Sequence, residues 1–376
     1  MCDFHYKSSA LALNFSIPLY IHYDREPLGI FSHVQRLRGE LTETFAPPCF
    51  NENGKIMSRA ARNLNLFLIT VLLFGVLSPA HAQTLTPIHI GVSTNSATWF
   101  PLYVAWKKGL FREQGLELLP VYMQARTSLA ALASKQIGYI TQTGSSLTAI
   151  ARGLPARLVM VFTDKTHHVL VVKSDISSPA QLRGRVVAIS QPGGTIHREL
   201  LMILDKFKID PNEVKTASLG DARNSLTALK AGNVDAAMLM TPLELYLEKD
   251  GFRPLVYLKD ILEFPLLGII VNNDLLRDKP DQVKKVLTGA LKGIAYTKTR
   301  REEVVPLLKD FIGLESLEMA QKAYDRLRDI WPDSGQPTEG GLKNVASMAE
   351  VPAAVPMEKI VDWTLLKEAS ASLRAK

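Results

Sequence analysis

Four short polar stretches stand where chemistry could happen, each at the end of an apolar run. The first places Thr94 and Ser96 ahead of the aromatic pair Trp99 and Phe100. The second, Thr141 to Ser146, contains Thr143, Ser145 and Ser146. The third runs from Ser190 through Gly193 and Gly194 to Thr195, and the fourth holds Thr241 and Glu244. A neutral hydrogen bond contributes roughly 0.5–1.5 kcal/mol net, so tight capture of a small molecule needs several that converge. Glycines without Cβ let backbone amides approach a ligand, and the N-terminus of the helix opening at Thr195 concentrates unpaired donors and partial positive charge. That chemistry suits a carboxylate, sulfonate or phosphate oxygen. The same residues equally make a plain strand-to-helix turn with Thr195 as N-cap. No Lys follows the glycines at the spacing of a nucleotide P-loop. Trp99 or Phe100 is placed either to stack on a solute or to fill a core.

The charged candidates pull in opposite directions. Arg126 offers an anion a fork of donors, or is a solvated rim residue. Glu244 favours an amine and repels an anion, and beside Thr241 it has the chemistry of a general base. His167 and His168 could sense pH or bind metal, but no third ligand stands at useful spacing, so no metal site is expected. No cofactor and no catalytic residue is assigned.

These stretches are positioned by a unit written twice. Ile88 to Ile140 reads strand, loop, helix, strand, helix, strand, and Val186 to Leu239 repeats that order. Ser128, Leu129, Ala131, Leu132 and Ile137 in the first copy match Ser225, Leu226, Ala228, Leu229 and Val234 in the second. The offset is 97 residues (225 minus 128), far beyond a solenoid period. Two α/β lobes are expected, and sheets of this kind bind ligands beyond the carboxyl ends of their strands. The reading places Thr127 or Ser128 as a helix cap, a strand at Ile137 to Ile140, links at Thr163 to His168 and at Phe264 and Pro265, and a returning strand at Leu266 to Val271. The rest reads as helix, so the chain crosses between lobes twice, and two linkers make a hinge. The expected division is 83–165 with 267–376 for the first lobe and 166–266 for the second.

Ahead of these units, Arg59, Arg62 and Asn63 precede an apolar run from Leu64 to Leu77, and Ala80, His81 and Ala82 form an A-x-A site before Gln83. This reads as a signal peptide over 57–82, cleaved at Ala82/Gln83, with periplasmic delivery; the run falls short of the roughly 20 residues a spanning helix needs. Met57 reads as the true start and residues 1–56 as a mis-assigned or disordered leader. The two cysteines, Cys2 and Cys49, fall in that leader. The mature chain is then without disulfide, thiolate metal site or cysteine nucleophile. Its charge follows from the net +7 of the whole, since residues 1–82 hold seven basic and six acidic side chains, leaving +6. That surplus is spread, with no basic stripe interleaved with aromatics, so nucleic acid is not an expected partner.

Three segments carry a resemblance: Gly109, Leu110, Phe111 through Gly115, Leu116, Glu117; Leu182 to Ala188; and Ala228, Leu229, Gly232, Val234, Asp235, Ala236. Together they resemble the extracytoplasmic solute-binding proteins of ABC importers, in the subgroup for nitrate, taurine, alkanesulfonates and the thiamin pyrimidine. The sequence departs from that pattern at Lys135, Gln136, Ile137 and Gly138, where the family shows Gly before and Asp after the apolar residue. The resemblance implies an α/β type II periplasmic binding protein fold, two lobes with a ligand cleft, acting as a monomer. It implies a small, anionic organic, sulfonate- or nitrate-type solute delivered to an ABC permease and its ATPase subunits. The ligand would touch Thr94, Ser96, Trp99, Phe100, Thr143, Ser145, Ser146, Gly193, Gly194, Thr195, Thr241 and Glu244. The rival readings are an enzyme on the same fold and a receptor for a thiamin-pyrimidine-like or amine solute.

Overall fold

The computed structural model describes residues 84–93 and 96–375; the expected leader, the signal peptide and Thr94 lie outside them. Two five-stranded sheets dominate. The first has the order β2-β1-β3-β10-β4, from β1 (Thr86–Val92), β2 (Leu116–Tyr122), β3 (Tyr139–Gln142), β4 (Ala156–Lys165) and β10 (Glu263–Asn272). The second has the order β7-β6-β8-β5-β9, from β5 (His168–Val172), β6 (Val186–Ile189), β7 (Lys215–Ser218), β8 (Ala236–Met240) and β9 (Arg253–Tyr257). In each, three parallel strands are followed by an antiparallel one that arrives from the other sheet, β10 in the first and β5 in the second. Ile90 pairs with Tyr139 and Val187 with Ala236, a separation of 49 residues both times (139 minus 90, 236 minus 187). The duplicated pattern is thus a duplicated register.

Apolar residues cover both faces of each sheet. Along β5, Leu170 and Val172 enter one cluster while Val169 and Val171 enter another, all four fully buried. This period-two division is what a central strand with helices on both sides requires. The flanking helices are α1 (Phe100–Lys107), α2 (Ala125–Ala133), α3 (Thr143–Ala151), α4 (Thr195–Lys206) and α5 (Ala222–Lys230). They continue with α6 (Asn273–Asp278), α7 (Pro280–Thr299), α8 (Arg301–Ile312), α9 (Leu317–Leu327), α10 (Glu339–Met348) and α11 (Thr364–Arg374). Helix α7 lies so close to α1 that a Cβ on Gly293 would stand 2.5 Å from the Pro101 carbonyl oxygen. No helix among the described residues is long and apolar enough to cross a membrane.

Several local expectations shift. Helix α2 starts at Ala125, a half-turn or more before Thr127 and Ser128, with Gln124 at the cap and no side-chain cap bond; Ser128 is buried within the helix. It ends through Lys135 at φ 63°, the left-handed position usually given to glycine, with Gln136 and Ile137 amides bonded back to Ala131. Strand β3 consequently begins two residues late, and Thr141 and Gln142 are strand, with Thr143 already helical. Gly194, not Thr195, is the N-cap of α4, and the His197 ring nitrogen Nδ1 takes the Gly193 amide at 2.9 Å. Phe264 and Pro265 lie inside β10, where an irregular register between Glu263 and Leu267 spares the proline a ladder bond.

The crossovers between the sheets are correspondingly short. Only Thr166 and His167 separate β4 from β5, and Leu258 to Leu262 separate β9 from β10. They run side by side, since Lys165 pairs with Glu263 on one side and Val169 with Tyr257 on the other.

Candidate functional site

The carboxyl ends of the parallel strands in both sheets turn toward the crossovers. In the first sheet, Gln142 at the end of β3 and Thr163 on β4 sit in one row on either side of Leu267. In the second, β8 ends at Met240 opposite His168, and the Thr241 amide donates to the His167 carbonyl at 2.9 Å. The turns that follow these ends are therefore held at one edge of each sheet.

Two of them meet. A cavity of about 370 Å³ is walled by Gly144 and Ser145 from the start of α3, by Gly193 and Gly194 before α4 with Thr195 at its start, by Met348 at the end of α10 and by Glu350 just after it. Gln142 makes no side-chain cap bond to α3 and Gly194 has no side chain to cap α4, so both helix starts present first-turn amides and the positive end of the helix dipole. Arg198, also on the wall, clasps the two sides. It donates to the Met348 carbonyl at 2.7 Å, to Glu350 at 2.8 Å and to the Gly193 carbonyl at 3.1 Å.

The other expected residues are placed differently. Ser96 caps the short turn Ala97–Trp99 and lies 3.0 Å from the Thr98 hydroxyl. Trp99 and Phe100 are fully buried; Trp99 meets Phe311 edge-on at 4.9 Å, and Phe100 lies 5.8 Å from the same ring. Both rings pack among the helices of the first lobe. Ser146 donates to the Gln142 carbonyl, and Thr143 is buried with its hydroxyl unpartnered. Thr241 donates to Glu244 at 2.7 Å, and Glu244 also receives Arg326 of α9 at 3.0 Å. Arg326 reaches Glu248 with its other nitrogen. The neighbouring Leu245 packs into the apolar cluster of the first sheet, so this turn is pinned across the lobes. Arg126 carries a side chain on the exposed first turn of α2.

Near the crossovers lie further polar groups with buried, unpartnered atoms, of which Gln142, Asp164 and Glu199 were not singled out by spacing while His167 was. Both polar atoms of the Gln142 amide, an Asp164 oxygen, His167 Nδ1 and both oxygens of Glu199 take part in no hydrogen bond. Burial pushes the Asp164 carboxyl up to about 6. Burial also holds His167 well below the ordinary histidine value, with the neighbouring His168 acting in the same sense. For Glu244 burial raises the carboxyl, against the opposing pull of Thr241 and Arg326. His168 Nδ1 stands 2.7 Å from Glu199 and 2.6 Å from the Thr166 hydroxyl. One signal for Glu199 was present in the sequence: it occupies the stripe Ile196, Leu200, Ile203 at a position where an apolar residue belongs. No group of three or more metal-ligating side chains is found among the described residues.

Known proteins share this architecture. Residues 96–304 match the family model described as NMT1/THI5 like. The chain is 26% identical over 244 residues to the riboflavin-binding protein RibY of Chloroflexus aurantiacus, covering 61% of this chain and 68% of that one. It is 25% identical over 303 residues to the 4-amino-5-hydroxymethyl-2-methylpyrimidine phosphate synthase THI12 of Saccharomyces cerevisiae, covering 74% and 84%. Among solved structures, the periplasmic aliphatic sulphonate binding protein SsuA of Escherichia coli superposes with a TM-score of 0.60 at 22% identity, over 73% of this chain and 92% of its own. That likeness shows the periplasmic binding protein fold. With the family model spanning more than half of its length, the chain belongs to the NMT1/THI5-like family.

Proposed function

We propose that this chain is the extracytoplasmic solute-binding component of an ABC importer. It takes a small solute between the two sheet edges, closes on it, and delivers it to a membrane permease with its ATPase subunits. The observation that carries the reading is the shared cavity, where Ser145 from one lobe faces Gly193, Gly194 and Thr195 from the other. Two uncapped helix starts on one cavity favour an oxygen-rich, anionic group such as a sulfonate, carboxylate or phosphate. The lobes in this reading are 83–165 with 267–376 and 166–266, the working form is a monomer, and a signal peptide over 57–82 delivers the protein to the periplasm. RibY and SsuA, named for binding, support a receptor.

A thermal-shift screen over sulfonates, nitrate, carboxylates, phosphates, flavins, pyrimidines and amines tests it. A receptor melts higher with its solute and returns that solute unchanged, and small-angle scattering finds the particle more compact. The rival is an enzyme on the same fold. It draws on the relative named a synthase and on the buried pair His168 and Glu199, which has the composition of a base and its orienting partner. Consumption of the stabilising compound would favour that rival.

A further inference from the structure

We propose that Glu199 selects the solute by accepting a hydrogen bond from a nitrogen-borne donor, such as an amine, an amidine or the amino group of a heterocycle. The proposal rests on the receptor reading and adds a solute class to it. Glu199 is fully buried, and neither of its oxygens receives a hydrogen bond. Its neighbour His168 brings Nδ1 to 2.7 Å from Oε2, but that same nitrogen lies 2.6 Å from the Thr166 hydroxyl. One ring proton has two claimants. Thr166 already accepts the His168 amide at 3.3 Å, so its own hydroxyl proton is free to go to Nδ1, leaving the ring no proton there for Glu199. Under either arrangement Oε1 has no donor. A buried carboxylate in that state is costly, and a donor brought by the solute removes the cost, whereas a bare oxyanion adds repulsion.

The position of Glu199 suits the role. Thr195 and Arg198 line the cavity, and Met202 packs into an apolar cluster of the first sheet, so this flank of α4 faces the other lobe. Glu199 lies one turn past Thr195, about 6 Å along the axis at helical rise, and is not itself among the residues lining the cavity. From the opposite lobe the unpaired Gln142 amide can both give and take a hydrogen bond. The solute is therefore bipolar: an oxygen-rich end for the helix starts and an N–H end for Glu199.

Matched pairs differing in one amino group test this: taurine against ethanesulfonate, β-alanine against propionate, phosphoethanolamine against ethyl phosphate, and 4-aminopyrimidine against 4-methylpyrimidine. Titration calorimetry is run on the full-length mature protein and on Glu199→Gln, which keeps shape and volume, with Glu199→Leu as a second variant. The expected result is a preference of at least about tenfold for the amino member of the pair that binds, the scale of a hydrogen bond to a charged group. In Glu199→Gln that preference shrinks to within about threefold while the unliganded melting temperature holds or rises, since the uncompensated buried charge is gone. Equal affinities for both members in the unaltered protein overturn the proposal, as does an undiminished preference in either variant. Binding by no compound in any form overturns the receptor reading itself, and compaction with amine-blind binding overturns this inference alone.

Discussion

Replacing Arg326 with Met separates the two lobes at their charged clasp. Arg326 extends from α9 to Glu244 at 3.0 Å and also meets Glu248, both in the turn after β8. Glu244 is 1% exposed and keeps only Thr241 as a donor once the guanidinium is gone. Breaking a fully buried pair from one side costs about 3–5 kcal/mol. Here Glu244 can regain water by opening of the lobes, and Arg326 is itself partly exposed, so the expected cost falls to about 2–3 kcal/mol. At 1.36 kcal/mol per decade that moves the open-to-closed ratio by roughly 30- to 150-fold. Methionine keeps the aliphatic stem, so lost packing is not the cause. Scattering on the unliganded variant should give a larger radius of gyration, and hydrogen exchange should rise at the amides of Leu245 and Leu247, which bond to Pro242 and Glu244. The double variant Arg326→Met with Glu244→Gln should recover most of the loss. An Arg326→Met protein with unchanged compactness, exchange and melting temperature would refute the clasp.

Three more outcomes are expected. Asp164 has a folded value of about 6 against 3.8 ordinarily, so the folded state holds its proton more tightly and stability falls as pH rises from about 4 to about 6; Asp164→Asn should abolish that fall and stabilise the protein at pH 7 by about 2 kcal/mol in denaturant titrations. Lys135→Gly relieves a left-handed residue at the end of α2 and should raise stability by about 0.5–1 kcal/mol, less whatever the exposed pair with Asp274 contributes. Thr195→Tyr places a ring in the 370 Å³ cavity and should abolish solute binding by calorimetry with the fold intact; full retained affinity would remove this turn from the site.

Much of the architecture was legible because it depends on local pattern. The repeated Ser-Leu-x-Ala-Leu segments fall on α2 and α5, whose starts are 97 residues apart (222 minus 125), matching the sequence offset. The glycine pair before Thr195 reads directly as the cavity turn. What escaped was set by contacts between distant residues. Arg198 meets Glu350 from 152 positions away and Arg326 meets Glu244 from 82, pairings that no spacing rule announces. Trp99 and Phe100 looked equally suited to a solute and to a core, and the choice was made by Phe311 on a helix two hundred residues further on. Glu199 was visible only as a charge in an apolar stripe, and its meaning depended on His168 lying beside it.

The most direct test is a crystal structure of the mature protein grown with the compound that raises its melting temperature most. The account predicts that compound between the lobes, with its oxygen-rich end within hydrogen-bonding distance of the first-turn amides of α3 and α4 and with Arg198 at its flank. Density for it in the separate groove along α11, beside Lys367 and Arg374, with the space between the sheets unchanged, would contradict it.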